Sequence, residues 1–184
     1  MESWGQITDV YDLLARAILS EEGGKVLTNK AEDAFGAGWV MWNHAYERTN
    51  GERDPQANDL LAYLMQANHP IRGVWSYKLT RAAFDPGNHP TYYAAGDPNA
   101  GNKAYTAALN MAHLVVDGDP SRDDVTYGSM YYADAFADGR SRERTAFWKV
   151  WGTPFDSPTD PHLTIPQLRQ MYAPMRDLIW SGRR

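Results

Sequence analysis

The stretch Leu13-Leu14-Ala15-Arg16-Ala17-Ile18-Leu19-Ser20-Glu21-Glu22-Gly23-Gly24 constrains the fold of this chain more than any other segment. Its apolar residues recur at helical spacing. At about 100° per residue, Val10, Leu14, Ala17, Ile18 and Glu21 share one face, and Glu22 falls toward its edge. The pattern predicts a helix from about Asp9 to Glu22, with Thr8 or Asp9 as N-cap. Gly23-Gly24 then stops it, since glycine is the usual residue just past a helix end. The fold must therefore accommodate a helix that ends in an acid on its apolar side. A carboxyl group held partly in apolar surroundings is costly to ionise and keeps its proton to higher pH. Such a group can donate a proton at neutral pH, as glycosidic bond cleavage requires of a general acid. Glu21 is the candidate for that role; the competing reading is a solvated glutamate or one paired with a basic neighbour.

Helix signals continue along the chain and strand signals are sparse. A second helix is predicted over roughly Ala34 to Tyr46, with the apolar run Trp39-Val40-Met41-Trp42 deeply buried, after a polar connection from Lys25 to Asp33. Asp54-Pro55 reads as a helix start, Asp54 capping and Pro55 in the first turn, with the helix running to about Asn68. From Asn68 to Ala100 the chain is rich in Pro, Gly, Asn and aromatic residues and reads as loop. Loops of that length tend to be functional, and this one is expected to wall a cleft opposite Glu21. The two Asn-His-Pro tripeptides, at residues 68–70 and 88–90, read as turns. A long helix from about Gly101 to Asp117 follows, ended by Gly118. Thr126 to Ala133 is the best strand candidate, with Tyr127, Ser129 and Tyr131 on one face. Further on, Thr164 and Gln167 fit a capping box. They open a predicted helix from about Pro166 to Trp180, kinked at Pro174.

At 184 residues the chain suits one domain, and 43% hydrophobic with 22% charged residues is ordinary for a globular protein. No run of about 18 apolar residues is present, so no membrane span is expected. The formal net charge of −5 argues against nucleic acid as a partner, because a basic patch supplies most of that affinity. With no cysteine, disulfides and thiolate metal sites are excluded. The five histidines, at 44, 69, 89, 113 and 162, show no H-E-x-x-H spacing. His44 and His113 read as satisfied core or rim residues. No metal and no cofactor is expected. The acidic stretch from Asp117 to Asp124 lacks two features of a calcium loop: Arg122 stands at the sixth place and Gly128 at the twelfth. It reads as a solvated turn. The 7 Trp and 11 Tyr are many for this length, and aromatic rings pack well on the apolar faces of sugars, although core packing accounts for most of them.

Three blocks, in order, resemble the cell-wall hydrolase family of spore-cortex-lytic type. Residues 14–24 are similar to its L-A-R-x-I-x-x-E-A-x-G. Gly38-Trp39-Val40-Met41-Trp42-Asn43-His44-Ala45 is similar to its A-x-V-x-x-N-R helix. Val116-Asp117-Gly118-Asp119-Pro120, followed by Asp124-Val125-Thr126-Tyr127-Gly128-Ser129-Met130-Tyr131-Tyr132, resembles its x-x-G-x-x-x-D-P-T-x-G-A-x-x-[FY]. The resemblance covers residues 10 to about 134–138. It implies a lysozyme-like fold of the α+β class, mostly helical with a small β element, followed in this chain by a C-terminal helical extension. It also implies peptidoglycan as partner, cleaved between N-acetylmuramic acid and N-acetylglucosamine, often by a lytic transglycosylase with one glutamate as acid and then base. The family's glutamate falls on Glu21, its helix asparagine on Asn43 and its threonine on Thr126. Tyr131, Tyr132 and Phe84 are further candidates for lining the glycan subsites. Where the family often carries a second acid, this chain has Gly24-Lys25. The family's Q-F-S is matched only loosely, by Ala83-Phe84-Asp85. The missing acid favours a one-glutamate mechanism over a two-carboxylate one.

The chain is read as a single domain over 1–184: a catalytic core over about 10–138 and an integral extension over 139–184. Phe147 to Trp151 should pack on that core or on a partner. Met1-Glu2-Ser3-Trp4-Gly5 lacks the features of a signal peptide. The expectation is a protein made in the cytoplasm that reaches the cell wall through a holin, a phage particle or another delivery system. The other class of answer is a non-catalytic glycan-binding or particle-structural protein on the same fold. A metal-dependent hydrolase is a more distant third.

Overall fold

The computed structural model describes residues 7–65, 77–134, 145–148 and 163–176, with the side chains of all of these except 77–80, 131, 133, 134, 146 and 148. The architecture is mostly helical. In chain order the elements are α1 (Val10–Glu22), α2 (Ala31–Arg48), α3 (Ala57–Leu64), α4 (Tyr77–Phe84), α5 (Pro90–Tyr93), α6 (Ala100–Asp117), α7 (Pro120–Asp123), β1 (Tyr131–Asp134), β2 (Thr145–Trp148), β3 (Leu163–Thr164) and α8 (Ile165–Tyr172). Short 3₁₀ turns sit at Pro86–Asn88 and Ala173–Met175. Among the described residues no helix is long and apolar enough to cross a membrane.

Asp9 caps α1 by accepting from the backbone N–H groups of Tyr11 and Asp12, which satisfies two of the orphan donors of the first turn. The helix then lies at the centre of the molecule, packed against α2, α3, α4 and α6. Leu13, Leu14, Ile18 and Leu19 are wholly buried. Each contributes about 1.5–3 kcal/mol by leaving water. Ala100, Ala104, Ala108, Ala112 and Val115 form the buried stripe of α6, and Gly38 on α2 faces Ile18 and Val115. Small side chains at these positions let three helix backbones approach closely.

The antiparallel sheet has the order β1-β2-β3. Its register places Tyr132 opposite Phe147, and Phe147 opposite Leu163. Directly opposed residues share a face of the sheet, and the Tyr132 and Phe147 rings lie 6.1 Å apart. Phe147, Ile165 and Leu168 close a second core cluster on Val40 of α2, with Tyr127. Gly36 makes room for it: a Cβ there would come within 2.7 Å of the Phe147 ring.

The structure departs from the sequence expectations at several elements. Gly23 ends α1 with φ −54°, so its backbone is not left-handed. It is needed for space, since a Cβ would meet the rings of both Tyr92 and Tyr93 at 3.0 Å. Gln56, not Asp54, caps α3, in a capping box with Asp59. Asp59 is also held by Arg53 at 2.6 and 3.0 Å, which fixes it at the third position of the helix. The expected loop from 68 to 100 contains α4 and α5; Pro90 opens α5 at its first turn. Asn68-His69-Pro70 lies outside the described residues. The strand starts at Tyr131 rather than Thr126, because the Asp124 carboxylate binds the backbone N–H groups of Thr126 and Gly128 and folds that segment into a turn. Tyr127 there has φ 53° and Gly128 φ 79°. Thr164 and Gln167 form the expected capping box, but α8 ends at Tyr172 and a 3₁₀ turn carries Pro174.

Gly101, in the first turn of α6, packs so closely on the 3₁₀ turn that a Cβ would overlap the Pro86 carbonyl oxygen. Backbone cannot give way as a side-chain tip can. Gly101→Ala is therefore expected to lower stability by about 1–3 kcal/mol despite alanine's better helix propensity. Chemical denaturation would measure it, and a stabilised variant would contradict the packing argument.

Candidate active site

The end of α1 separates two adjacent acids by environment. Glu22 is 7% exposed. Its Oε2 pairs with the Lys25 ammonium at 2.8 Å, and its Oε1 accepts from the Thr145 hydroxyl at 2.8 Å. Lys25 also donates to Thr145 Oγ1 at 2.5 Å, and the Thr145 N–H donates to Asp33 at 3.0 Å. The cluster ties the end of α1 to β2 and α2. Glu21 is half-buried. Its Oε2 accepts from the Tyr132 hydroxyl at 2.8 Å, and its Oε1 is shielded from solvent. Shielding disfavours the charged form of a carboxyl group, while the Tyr132 donor favours it.

This corrects the helix-face argument. Because α1 is central, its burial runs around most of its circumference, and Leu13, Ala15, Leu19 and Ser20 are covered as fully as Leu14 and Ile18. Glu22 is the more buried acid. Glu21 keeps partial accessibility and accepts from a phenol.

Aromatic groups surround Glu21. Burial pushes the Tyr132 phenol well above its ordinary range, and the Glu21 carboxylate beside it adds to the effect. Tyr63 on α3 is also raised, by burial first, with Glu21 contributing. Tyr92 on α5 is raised by burial, then by the charges of Glu21 and Glu22. Tyr63 stacks on His44 at 5.7 Å with the rings nearly parallel, and the Arg48 guanidinium lies 5.8 Å from the Tyr63 ring centre. Sequence reading had not placed Tyr63 or Tyr92 here. For Tyr92 the signal is the adjacent pair Tyr92-Tyr93 in α5; Tyr63, the one aromatic of α3, carries none.

Asn43 and Thr126, candidates for substrate contacts, stand together in an internal network. Both are wholly buried. Asn43 Nδ2 donates to Asp124 Oδ2 at 3.2 Å, to Thr126 Oγ1 at 3.4 Å and to the Ser129 carbonyl at 3.1 Å. The Thr126 hydroxyl donates to Asp124 Oδ1 at 2.6 Å. The network holds the turn that leads into β1, the strand that carries Tyr132. Phe84 also stands elsewhere, with its ring 5.3 Å from the Arg16 guanidinium. Arg16 is bonded to Asp12 and to the Ala83 and Phe84 carbonyls, about 140° around α1 from Glu21. Tyr132 is the one subsite candidate seen at the acid; the side chain of Tyr131 lies outside the described part.

His44 Nε2 donates to the Met130 carbonyl at 2.6 Å, and burial lowers its pKa against the opposing effect of that bond. A histidine harder to protonate folded than unfolded favours folding at high pH. That stability is lost as pH falls through the unfolded value of about 6.5. The urea midpoint should therefore drop between pH 7.5 and 5, and less steeply in His44→Gln; identical slopes would overturn this assignment. His113 is half-exposed, stacked on Tyr11 and 3.3 Å from Asp117. In the acidic stretch, Asp119 caps α7 and Asp124 serves the turn above. Among the described residues, no three His, Asp or Glu side chains gather as a metal ion would need.

In comparisons with protein-family models, with curated proteins and with solved structures, nothing matched this chain.

Proposed function

We propose that the protein cleaves the glycan strand of peptidoglycan between N-acetylmuramic acid and N-acetylglucosamine, as a lytic transglycosylase on a lysozyme-like fold, with Glu21 as general acid and base. The observation that carries this reading is the half-buried Glu21 carboxyl held by Tyr132 at 2.8 Å, while its neighbour Glu22 is neutralised by Lys25. Glu21 protonates the glycosidic oxygen as its bond to the muramic anomeric carbon breaks. The carboxylate then takes the proton of the muramic C6 hydroxyl as that oxygen bonds the anomeric carbon, giving the anhydro sugar. The proton removed replaces the proton given, so the enzyme ends as it began. Lys25 stands where the resemblance has a second acid, which favours one carboxylate over the paired arrangement of two-acid glycosidases. Tyr132 steadies the carboxylate of the second step.

Release of soluble muropeptides from purified peptidoglycan tests the proposal. Anhydromuramic ends are expected; reducing ends would reassign the protein as a muramidase. No release would leave a glycan-binding or particle-structural protein, whose delivery by phage or holin would then be irrelevant to catalysis. Tyr132→Phe removes a donor to Glu21 Oε2 and so disfavours the carboxylate. The alkaline limb of the activity profile, which reports the protonated acid, should move to higher pH with the fold intact. An unmoved limb would place Tyr132 outside the mechanism.

A further inference from the structure

Tyr92 is an exposed aromatic ring beside the end of α1, and its setting is built. The α5 helix is a single turn opened by Pro90. Tyr93 points inward, buried, with its hydroxyl donating to the Ala82 carbonyl at 2.7 Å. Tyr92 stands against it edge-on, ring centres 5.0 Å apart and planes at 89°, and remains 38% exposed. Both rings lie against Gly23, two residues past Glu21, where any side chain would displace them. The ring of Tyr92 is thus supported from behind by Tyr93 and from below by bare backbone. A tyrosine ring fixed in this way offers an apolar face with little rotamer entropy left to lose. The ligand that matches a flat apolar face beside a proton donor is a pyranose ring, whose axial C–H bonds form an apolar face of similar size.

We propose that Tyr92 is the stacking platform for a pyranose of the glycan strand adjoining the bond that Glu21 protonates. This rests on the glycan reading above and adds a residue that none of the motifs contains. Stacking needs the ring and not the hydroxyl, so phenylalanine should serve as well as tyrosine.

The experiment uses the full chain carrying Glu21→Gln, chosen to suppress turnover, and a GlcNAc pentamer as probe. Binding is followed by the aromatic ¹H–¹³C signals of the protein. The expected result is saturable binding with the Tyr92 ring signals shifted, at least tenfold weaker in Tyr92→Ala and within twofold of the parent in Tyr92→Phe. Unchanged binding in Tyr92→Ala overturns the platform, as does a phenylalanine variant as weak as the alanine one, or a parent that does not bind the pentamer. Matching thermal melts show that the alanine variant is folded. Muropeptide release by the otherwise native protein keeps the two proposals apart. Glycan binding through Tyr92 without release would retain the platform and remove the enzyme; release with binding independent of Tyr92 would do the reverse.

Discussion

Glu21→Gln is expected to reduce muropeptide release by about a thousandfold, within the range that a general acid–base contributes, while leaving the melting temperature close to that of the parent. Glutamine is nearly isosteric and its carbonyl can still accept from Tyr132, so the local packing survives; what disappears is the transferable proton. The neighbouring change separates chemistry from structure. Glu22→Gln removes the charge that balances Lys25, whose side chain is only 15% exposed, and weakens the link to Thr145 on β2. Breaking a buried pair costs about 3 kcal/mol, so this variant should lose stability first and activity in proportion to its unfolded fraction. The two single variants, assayed together for release and for thermal unfolding, should fall on different axes. Retention of a tenth or more of the activity by Glu21→Gln would remove it from the mechanism.

Phe147→Ala is expected to destabilise the fold by about 3–5 kcal/mol, the usual result of emptying a buried phenylalanine site. Phe147 is wholly buried between Gly36 of α2 and the apolar side chain of Ile165, and it opposes Tyr132 across the sheet. With a total stability typically of about 5–15 kcal/mol, that single loss is severe. Truncation after Asp138 removes β2, β3 and α8 together. It leaves Val40 and Tyr127 uncovered and β1 without its partner strand. An aggregated remnant is expected. A soluble and active one would show that the C-terminal segment serves docking instead.

Features set within one helical turn were legible in the sequence. The cap of α1, expected at Thr8 or Asp9 and found at Asp9, and the Thr164–Gln167 box each depend on residues two or three positions apart, so a short window contains the whole interaction; the extent of α6, with Gly118 at its end, follows from periodicity and the closing glycine. Periodicity likewise marked the helical class and placed the two acids at the end of α1.

The contrast between those acids was not legible. Tyr132 reaches Glu21 from 111 residues away and Thr145 reaches Glu22 from 123. Asn43 reads from sequence as either a glycan contact or a packing residue, and only Asp124, 81 residues on, shows its partner in the core. The strand expected from Thr126 failed for the same kind of reason: a carboxylate captured backbone donors that a ladder would otherwise have used. The helical class and several helix starts follow from periodicity and capping within the chain itself, whereas the start of α3, the helices α4 and α5 and the end of α8 do not. Which groups each acid meets, the Tyr132 phenol for Glu21 and Lys25 with Thr145 for Glu22, depends on what packs against the end of α1, and tertiary structure alone brings the distant partners to it.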